Sequence, residues 1–569
     1  MLVEGVIPAN LVNSRTLQQS IISLLQKCST IKKITQIHTQ IIINGFSQKN
    51  FILVNLISFY ITSSNNLPHA LKIFETIKKP STTIWNQVIR GYSRTENPEK
   101  SVELYNQMVA TGAIPDGFTY SYLLSACARS GMLREGEQVH GKVLADGYCS
   151  NVFVRTNLVN LYAMVGGCDG IGYARRVFDE MGERNVVSWN SLLAGYIRYG
   201  DVHMARRVFD EMPERNVVSW TTMVAGFARN GKCRQALSFF NQMRRAGVQL
   251  DQVALLAALS ACAELGDLES GKWIHSHIKE TSRVRSQRLL VSLNNALIHM
   301  YASCGLIEEA YQVLKYMPER STVSWTSMIM GLAKQGFAQE ALVVYECMLS
   351  LGDREVKPDA ITYLGVLCAC SHAGYVEEGW HHFTQMTQNW GIEPRIEHYC
   401  CMIDLLSRAG FLDEAFNLIE TMPVKPNDAV WGALLSGCRI HKNVDLASQV
   451  AQKLVAELDP DYAAGYLVLL SNVYAFAKRW QDVANVRQKM IDMGVKKPAG
   501  RSWVQIDGVV HDFMAGDSAD KHAYSIYDML WQVTRQAKQE GYEPDISEVL
   551  SFGLITKETW ELGQGCRGY

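Results

Sequence analysis

Residues 174–189 read ARRVFDEMGERNVVSW and residues 205–220 read ARRVFDEMPERNVVSW. The two stretches agree at 15 of 16 positions, 31 residues apart. Chance does not produce such agreement, so the chain is a tandem repeat and is read in units. In the unit 186–216, Trp189, Leu192, Leu193 and Tyr196 recur at helical spacing and define a first amphipathic helix. Gly200-Asp201 breaks it, with Asp201 placed to cap a second helix. Ala205, Val208, Phe209 and Met212 form the apolar stripe of that helix, and Pro213 ends it. One such hairpin has too little core to stand alone. Stacked copies bury each stripe against its neighbours, which predicts an all-α, right-handed superhelical solenoid of helix-turn-helix repeats.

Composition sets limits on the rest. A globular chain of 569 residues would form roughly three or four domains, whereas the repeats predict one long array. Formal net charge is −1, which argues against indiscriminate nucleic-acid binding but leaves room for a locally basic groove. Cys28, Cys127, Cys262, Cys370 and Cys438 recur at one place in related units, inside a helix, and read as small buried hydrophobes rather than disulfides or metal ligands. No apolar run approaches membrane-spanning length, so no membrane span is expected. The first 35 residues hold one acid, Glu4, against Arg15, Lys27, Lys32 and Lys33. That composition is compatible with an organelle-targeting segment over 1–17, although repeat-like sequence begins near Gln18.

Tryptophans keep the register. Trp85, Trp189, Trp220, Trp325 and Trp431 each open a first helix. Trp85 to Trp189 spans 104 residues, Trp220 to Trp325 105, and Trp325 to Trp431 106, so the higher period is a triplet of unequal units. Long units close at Asp116, Asp251 and Asp359; others carry LLSACARSGMLREGEQVH or ALSACAELGDLESGKWIH; short ones end in MPER or a relative of it. This alternation resembles the PLS class of pentatricopeptide repeat proteins of plant organelles. Units fall at 18–50, 51–81, 82–116, 117–151, 152–185, 186–216, 217–251, 252–290, 291–321, 322–359, 360–395 and 396–427, with 166–172 read as a turn carrying extra residues. Residues 428–500 resemble the family's E motifs and 501–550 its E+ extension, while 551–569 resemble nothing identified. Within the extension, residues 503–513 alternate around Asp507-Gly508, a two-residue hairpin turn, and an amphipathic helix follows over about 520–539. Trp503, Val504, Ile506, Val510 and Phe513 then leave an apolar strand face that Ile526, Met529, Leu530 and Val533 of the helix are expected to help cover.

The resemblance implies single-stranded RNA as the ligand, read one base per repeat by the residue after the opening Trp (or its equivalent) and the last residue of the unit. Guanine and uracil present a ring N–H, which an acceptor-only Asp takes. Adenine and cytosine present a bare ring nitrogen, to which an Asn amide donates. By the family's code Asn86 with Asp116 reads U, Thr156 with Asn185 reads A, and Asn190 with Asn216 reads a pyrimidine. Thr221 with Asp251 and Thr326 with Asp359 read G, and Asn295 with Ser321 reads C. Ile22, Val54, Leu256 and Leu364 fill the same place and read nothing; Ser121/Asn151 and Cys400/Asn427 are ambiguous. The plainer reading is that these polar residues are helix caps and turns. Val187, Val218 and Val323 either sandwich a base or belong to the inter-repeat core.

Some relatives carry a zinc deaminase, whose chemistry needs His-x-Glu and Cys-x-x-Cys. Neither occurs here: none of the 14 histidines has Glu two residues on, and Cys368/Cys370 and Cys400/Cys401 are wrongly spaced. No catalytic residue, metal site or cofactor is therefore expected. The resemblance implies cytidine-to-uridine editing in a mitochondrion, or alternatively a chloroplast, with a deaminase-carrying DYW-type relative or other editing factors supplied in trans. The rivals are an RNA splicing or stability factor and, from another class, a protein–protein scaffold. Residues 428–569 carry 15 basic and 18 acidic side chains, leaving 40 and 38 for 1–427, a split that permits RNA on the repeats and protein on the tail.

Overall fold

A computed structural model describes residues 14–28, 30–62, 66–281, 287–351, 356–457, 460–492, 494, 501–506, 509–514 and 523–542. It falls into two compact units, 1–258 and 259–569. Each unit is built of the expected stacked helical hairpins, and the second also carries a two-stranded β-hairpin. Within the first unit, helices Asn50–Thr62, Thr82–Tyr92, Gly117–Ser130, Val152–Val165, Val186–Arg198 and Val217–Arg229 pack one on the next. In the second, Gln287–Ser303, Thr322–Lys334, Ala360–Ala373, Ile396–Ala409, Asp428–Ile440 and Pro460–Phe476 do the same.

The repeated motif folds as its residues dictate. Asp201 caps helix Val202–Glu211, its carboxylate accepting from the Met204 amide at 3.0 Å after Gly200 turns at φ +78°. Trp85, Trp189 and Trp220 each stand edge-on to the Phe of the preceding hairpin's second helix. Ring centroids are 4.7 Å apart for Phe74–Trp85 and Phe178–Trp189, and 4.8 Å for Phe209–Trp220. Such pairs add about 0.5–1.5 kcal/mol to the area they bury. The Arg that closes the short-unit motif terminates the second helix. Arg184, Arg215 and Arg320 turn back so that Nε donates to the carbonyls of Phe178, Phe209 and Leu314 at 3.1, 3.0 and 2.9 Å. Those last-turn carbonyls also accept the amides of Met181, Met212 and Met317, so the Arg fills their second lone pair.

First helices approach closely where each carries a glycine. A Cβ placed on Gly331 would lie 2.4 Å from the Cβ of Ala302, a buried methyl that has no rotamer to escape into. Gly331→Ala is expected to cost about 1–3 kcal/mol through overpacking. Thermal melting checks this, and an unchanged midpoint would mean that the helices separate at no cost.

Three expectations change. Cys28 lies just past helix Ser14–Lys27, unlike Cys127, Cys262, Cys370 and Cys438, which are buried within helices. Residues 166–172 are not an extended turn, because the second helix already runs from Gly167 to Asp179. The C-terminal helix, Ala523–Gln539, does not bury Met529, Leu530 and Val533, which are 59%, 54% and 56% exposed. Strands β1 (Arg501–Ile506) and β2 (Val509–Met514) form the antiparallel hairpin, with Ile506 opposite Val509. Asp507, Gly508, residues 1–13, 520 and 551–569 lie outside the described residues, as do the side chains of Trp503, Ile506 and Val510.

Candidate nucleic-acid interface

Every last residue singled out above is a helix N-cap. Asp116, Asp251 and Asp359 accept through Oδ1 from the amides of Thr119, Ala254 and Thr362 at 2.9, 2.8 and 2.8 Å. Asn185 and Asn216 accept through Oδ1 from Ser188 and Ser219 at 2.8 and 3.0 Å, and Ser321 Oγ from Ser324 at 3.4 Å. The plainer reading is therefore correct as geometry, but it does not use up these side chains. Aspartate and asparagine share Oδ1 and differ in the other atom. Among the described residues, Oδ2 of Asp116, Asp251 and Asp359 and Nδ2 of Asn185 and Asn216 take no hydrogen bond. The atom that folds the repeat is the one the two residues have in common; the atom that tells them apart is left over.

The partner of each cap lies on the preceding first helix. Asn86 Nδ2 donates to Asp116 Oδ1 at 2.9 Å, Asn190 Nδ2 to Asn216 Oδ1 at 3.3 Å and Asn295 Nδ2 to Ser321 Oγ at 3.4 Å. Thr326 reaches Asp359 through the Thr362 hydroxyl. Thr156 instead donates to its own helix at Val152 O, 2.7 Å away, and among the described residues Thr221 Oγ1 has no partner. These positions are less open than a helix edge suggests: Asn86, Thr156, Thr221 and Thr326 are 4–7% exposed, and Asn190 and Asn295 half-buried. Ser121 accepts from Asn157 at 2.7 Å, while Val54, Leu256 and Leu364 are half-buried apolar fillers. Val187, Val218 and Val323 are 60%, 54% and 55% exposed, which excludes them from the inter-repeat core. Phe118, Phe153 and Ile361, at the same step after their caps, are exposed too.

A pentatricopeptide repeat-containing protein of Arabidopsis thaliana is 42% identical to this chain, covering 93% of it and 84% of the relative. The chain belongs to the pentatricopeptide repeat family. Models of the PPR repeat family match residues 80–129, 184–217 and 215–264, those of the PPR repeat match 118–151, 295–321, 323–353 and 397–425, and an E motif matches 441–505. A chloroplastic member from Arabidopsis thaliana is 32% identical over 95% of this chain and 85% of its own. A mitochondrial one is 35% identical over 89% and 73%. Among solved structures, PPR10 in complex with an 18-nucleotide psaJ RNA element shares the fold at TM-score 0.51 and 16% identity, covering 98% of this chain and 86% of that one.

The pentatricopeptide array carries a feature that sequence reading passed over. Arg90, Arg129, Arg198, Arg229, Lys334, Arg408 and Arg439 each lie in the last turn of a first helix. The recurring GYIR, GFAR and GLAK carry the signal. Arg198, Arg229 and Lys334 follow Asn190, Thr221 and Thr326 by eight residues, about 12 Å along the axis. Cations there favour the helix dipole, and some also bind neighbours: Arg129 donates to Ser93 O at 2.8 Å, and Arg408 pairs with Asp404 at 2.8 Å. Burial pushes the Cys127 thiol up to about 11 and those of Cys370 and Cys438 to about 12, so they are unreactive core.

Proposed function

We propose that this chain is a sequence-specific single-stranded RNA-binding protein of a plant organelle, and that it selects a site for cytidine-to-uridine editing by a deaminase supplied in trans. The observation that carries the reading half is the uncommitted Oδ2 or Nδ2 on the caps beside Asn86, Thr156, Asn190, Thr221 and Thr326. These atoms are not buried, so they stay open at the surface, and acceptor or donor at that place is what a base edge distinguishes. The last-turn cations, at the opposite ends of the first helices, supply phosphate contacts about 12 Å from the readers. The E motif supports editing, and the chloroplastic and mitochondrial relatives support an organelle, of which the mitochondrion is the one proposed.

Units 82–427 then read 5′-U-n-A-Y-G-n-C-G-n-n. Purified protein is expected to bind this single strand and not its duplex, because bases must be splayed for their edges to be read. Equal binding to both, or to neither, removes the RNA reading. Sequencing organellar transcripts from plants lacking the protein should show an unedited cytidine just 3′ of such a site. Normal editing with mis-spliced or depleted transcripts would favour a splicing or stability role.

A further inference from the structure

The residue three places after each cap differs among the six reading units, and it decides what the reading side chain is bonded to. Where it is threonine, the hydroxyl bonds its own cap, at 3.1 Å for Thr119 to Asp116 Oδ1 and 2.9 Å for Thr362 to Asp359 Oδ1, and also reaches the reader on the preceding helix. Thr119 Oγ1 donates to Asn86 Oδ1 at 2.6 Å, and Thr326 Oγ1 stands 2.7 Å from Thr362 Oγ1. Where it is serine, the hydroxyl turns back on its own cap. Ser188 Oγ donates to Asn185 O at 2.8 Å, Ser219 Oγ to Asn216 Oδ1 at 3.1 Å, and Ser324 Oγ lies 3.1 Å from Ser321 Oγ. Where it is Ala254, there is no hydroxyl. The readers record the difference: Asn190 Oδ1, Asn295 Oδ1 and Thr221 Oγ1 are buried without a partner among the described residues, while Asn86 Oδ1 and Thr326 Oγ1 are bonded. All six of these third residues are fully buried, so solvent does not compensate. Threonine behaves differently from serine because its β-branch restricts χ1, holding the oxygen towards the neighbouring helix.

We propose that Thr119 and Thr362 are positioning residues that fix the hydrogen-bonding sense of the base reader, and that units with serine or alanine there discriminate less. This rests on the RNA reading above. The Thr362 hydroxyl hydrogen lies on Asp359 Oδ1 at 2.9 Å, and its oxygen receives the Asp359 amide at 3.2 Å. With the Thr362 hydrogen on Asp359, the arrangement in which Thr326 donates to Thr362 satisfies both hydroxyls and leaves only lone pairs for a base. A latched Thr326 accepts guanine's N–H groups and has nothing to give adenine's bare ring nitrogen. Thr221, opposite Ala254, keeps a hydroxyl that rotates to donate or accept. Both units are assigned G, yet the latched one should reject A more strongly. By the same logic the Asn86 amide is held at both ends, Oδ1 by Thr119 and Nδ2 by Asp116, while that of Asn190 is held at one end only, in keeping with U for one and either pyrimidine for the other.

The test is a pair of reciprocal variants of the full chain, titrated with RNAs carrying G or A at the fifth or eighth nucleotide of the site. Thr362→Val keeps the shape and removes the hydroxyl; it should cut the G-over-A ratio at the eighth nucleotide by about 2- to 10-fold, the worth of one hydrogen bond, and leave the fifth untouched. Ala254→Thr should raise the ratio at the fifth nucleotide by a similar factor. Loss of affinity that is equal for G and A would overturn the latch and leave Thr362 a cap residue. Unchanged ratios in Ala254→Thr, with melting intact, would overturn it as well. Wild-type protein that binds none of these RNAs would instead defeat the RNA reading itself. Melting curves on both variants separate these outcomes from misfolding, and Ala254→Thr keeps the proposal exposed should Thr362→Val not fold.

Discussion

Replacing Asp251 by Asn is expected to turn preference at the fifth nucleotide of the site from G towards A without moving the melting temperature. The carboxylate caps helix Gln252–Leu265 through Oδ1, and asparagine is as good an N-cap as aspartate. What changes is the second atom, from an acceptor that takes the guanine ring N–H to a donor that offers a hydrogen to adenine. Loss of the matched base should cost about 1–3 kcal/mol of binding, with A recovering most of it. Asp251→Ala is the control. It loses both atoms, so stability should fall by about 0.5–2 kcal/mol and all discrimination at that nucleotide should vanish. Equal weakening by Asp251→Asn against all four bases would make Asp251 a structural turn residue and nothing more.

The second large effect is expected from truncating the chain after Gly500. The removed part holds the β-hairpin and helix Ala523–Gln539, and none of the six reading pairs. That helix presents Met529, Leu530, Trp531 and Val533 at 54–59% exposure, a row of apolar side chains on one element. An apolar face of this kind marks an interaction site. The truncated protein should therefore bind its RNA with near-unchanged affinity and fail to restore editing in a mutant plant. Full editing by the truncated chain would sink the recruitment idea. Lost RNA binding would assign the extension to capping the array instead.

Period, register and hairpin were legible because each is written in residues that act locally. The Trp and Phe that meet edge-on, the Asp201 cap after Gly200 and the buried Cys127, Cys262, Cys370 and Cys438 all follow from spacing and side-chain type. Residues 166–172 misled because four glycines there suggest a loop, yet the sharp turn is confined to Gly167 at φ +66°, and the helix continues. The helix Ala523–Gln539 was legible as amphipathic, but amphipathicity says that a face calls for cover and not what provides it. The base-reading pairs were legible as positions. Which atom of each is spent on the fold was not, since Oδ1 and Oδ2 are the same letter in a sequence. Nor was the role of Thr119 and Thr362, which act on helices 33 and 36 residues earlier in the chain.

The shared Oδ1 cap has a genetic consequence. Asp and Asn codons differ by one nucleotide, and exchanging them leaves the fold's hydrogen bond in place. At these caps a change of the preferred base leaves the helix end as stable as before. If the caps read bases as proposed, a change of one base in the RNA site is matched by a single codon step here, and the helix keeps its cap.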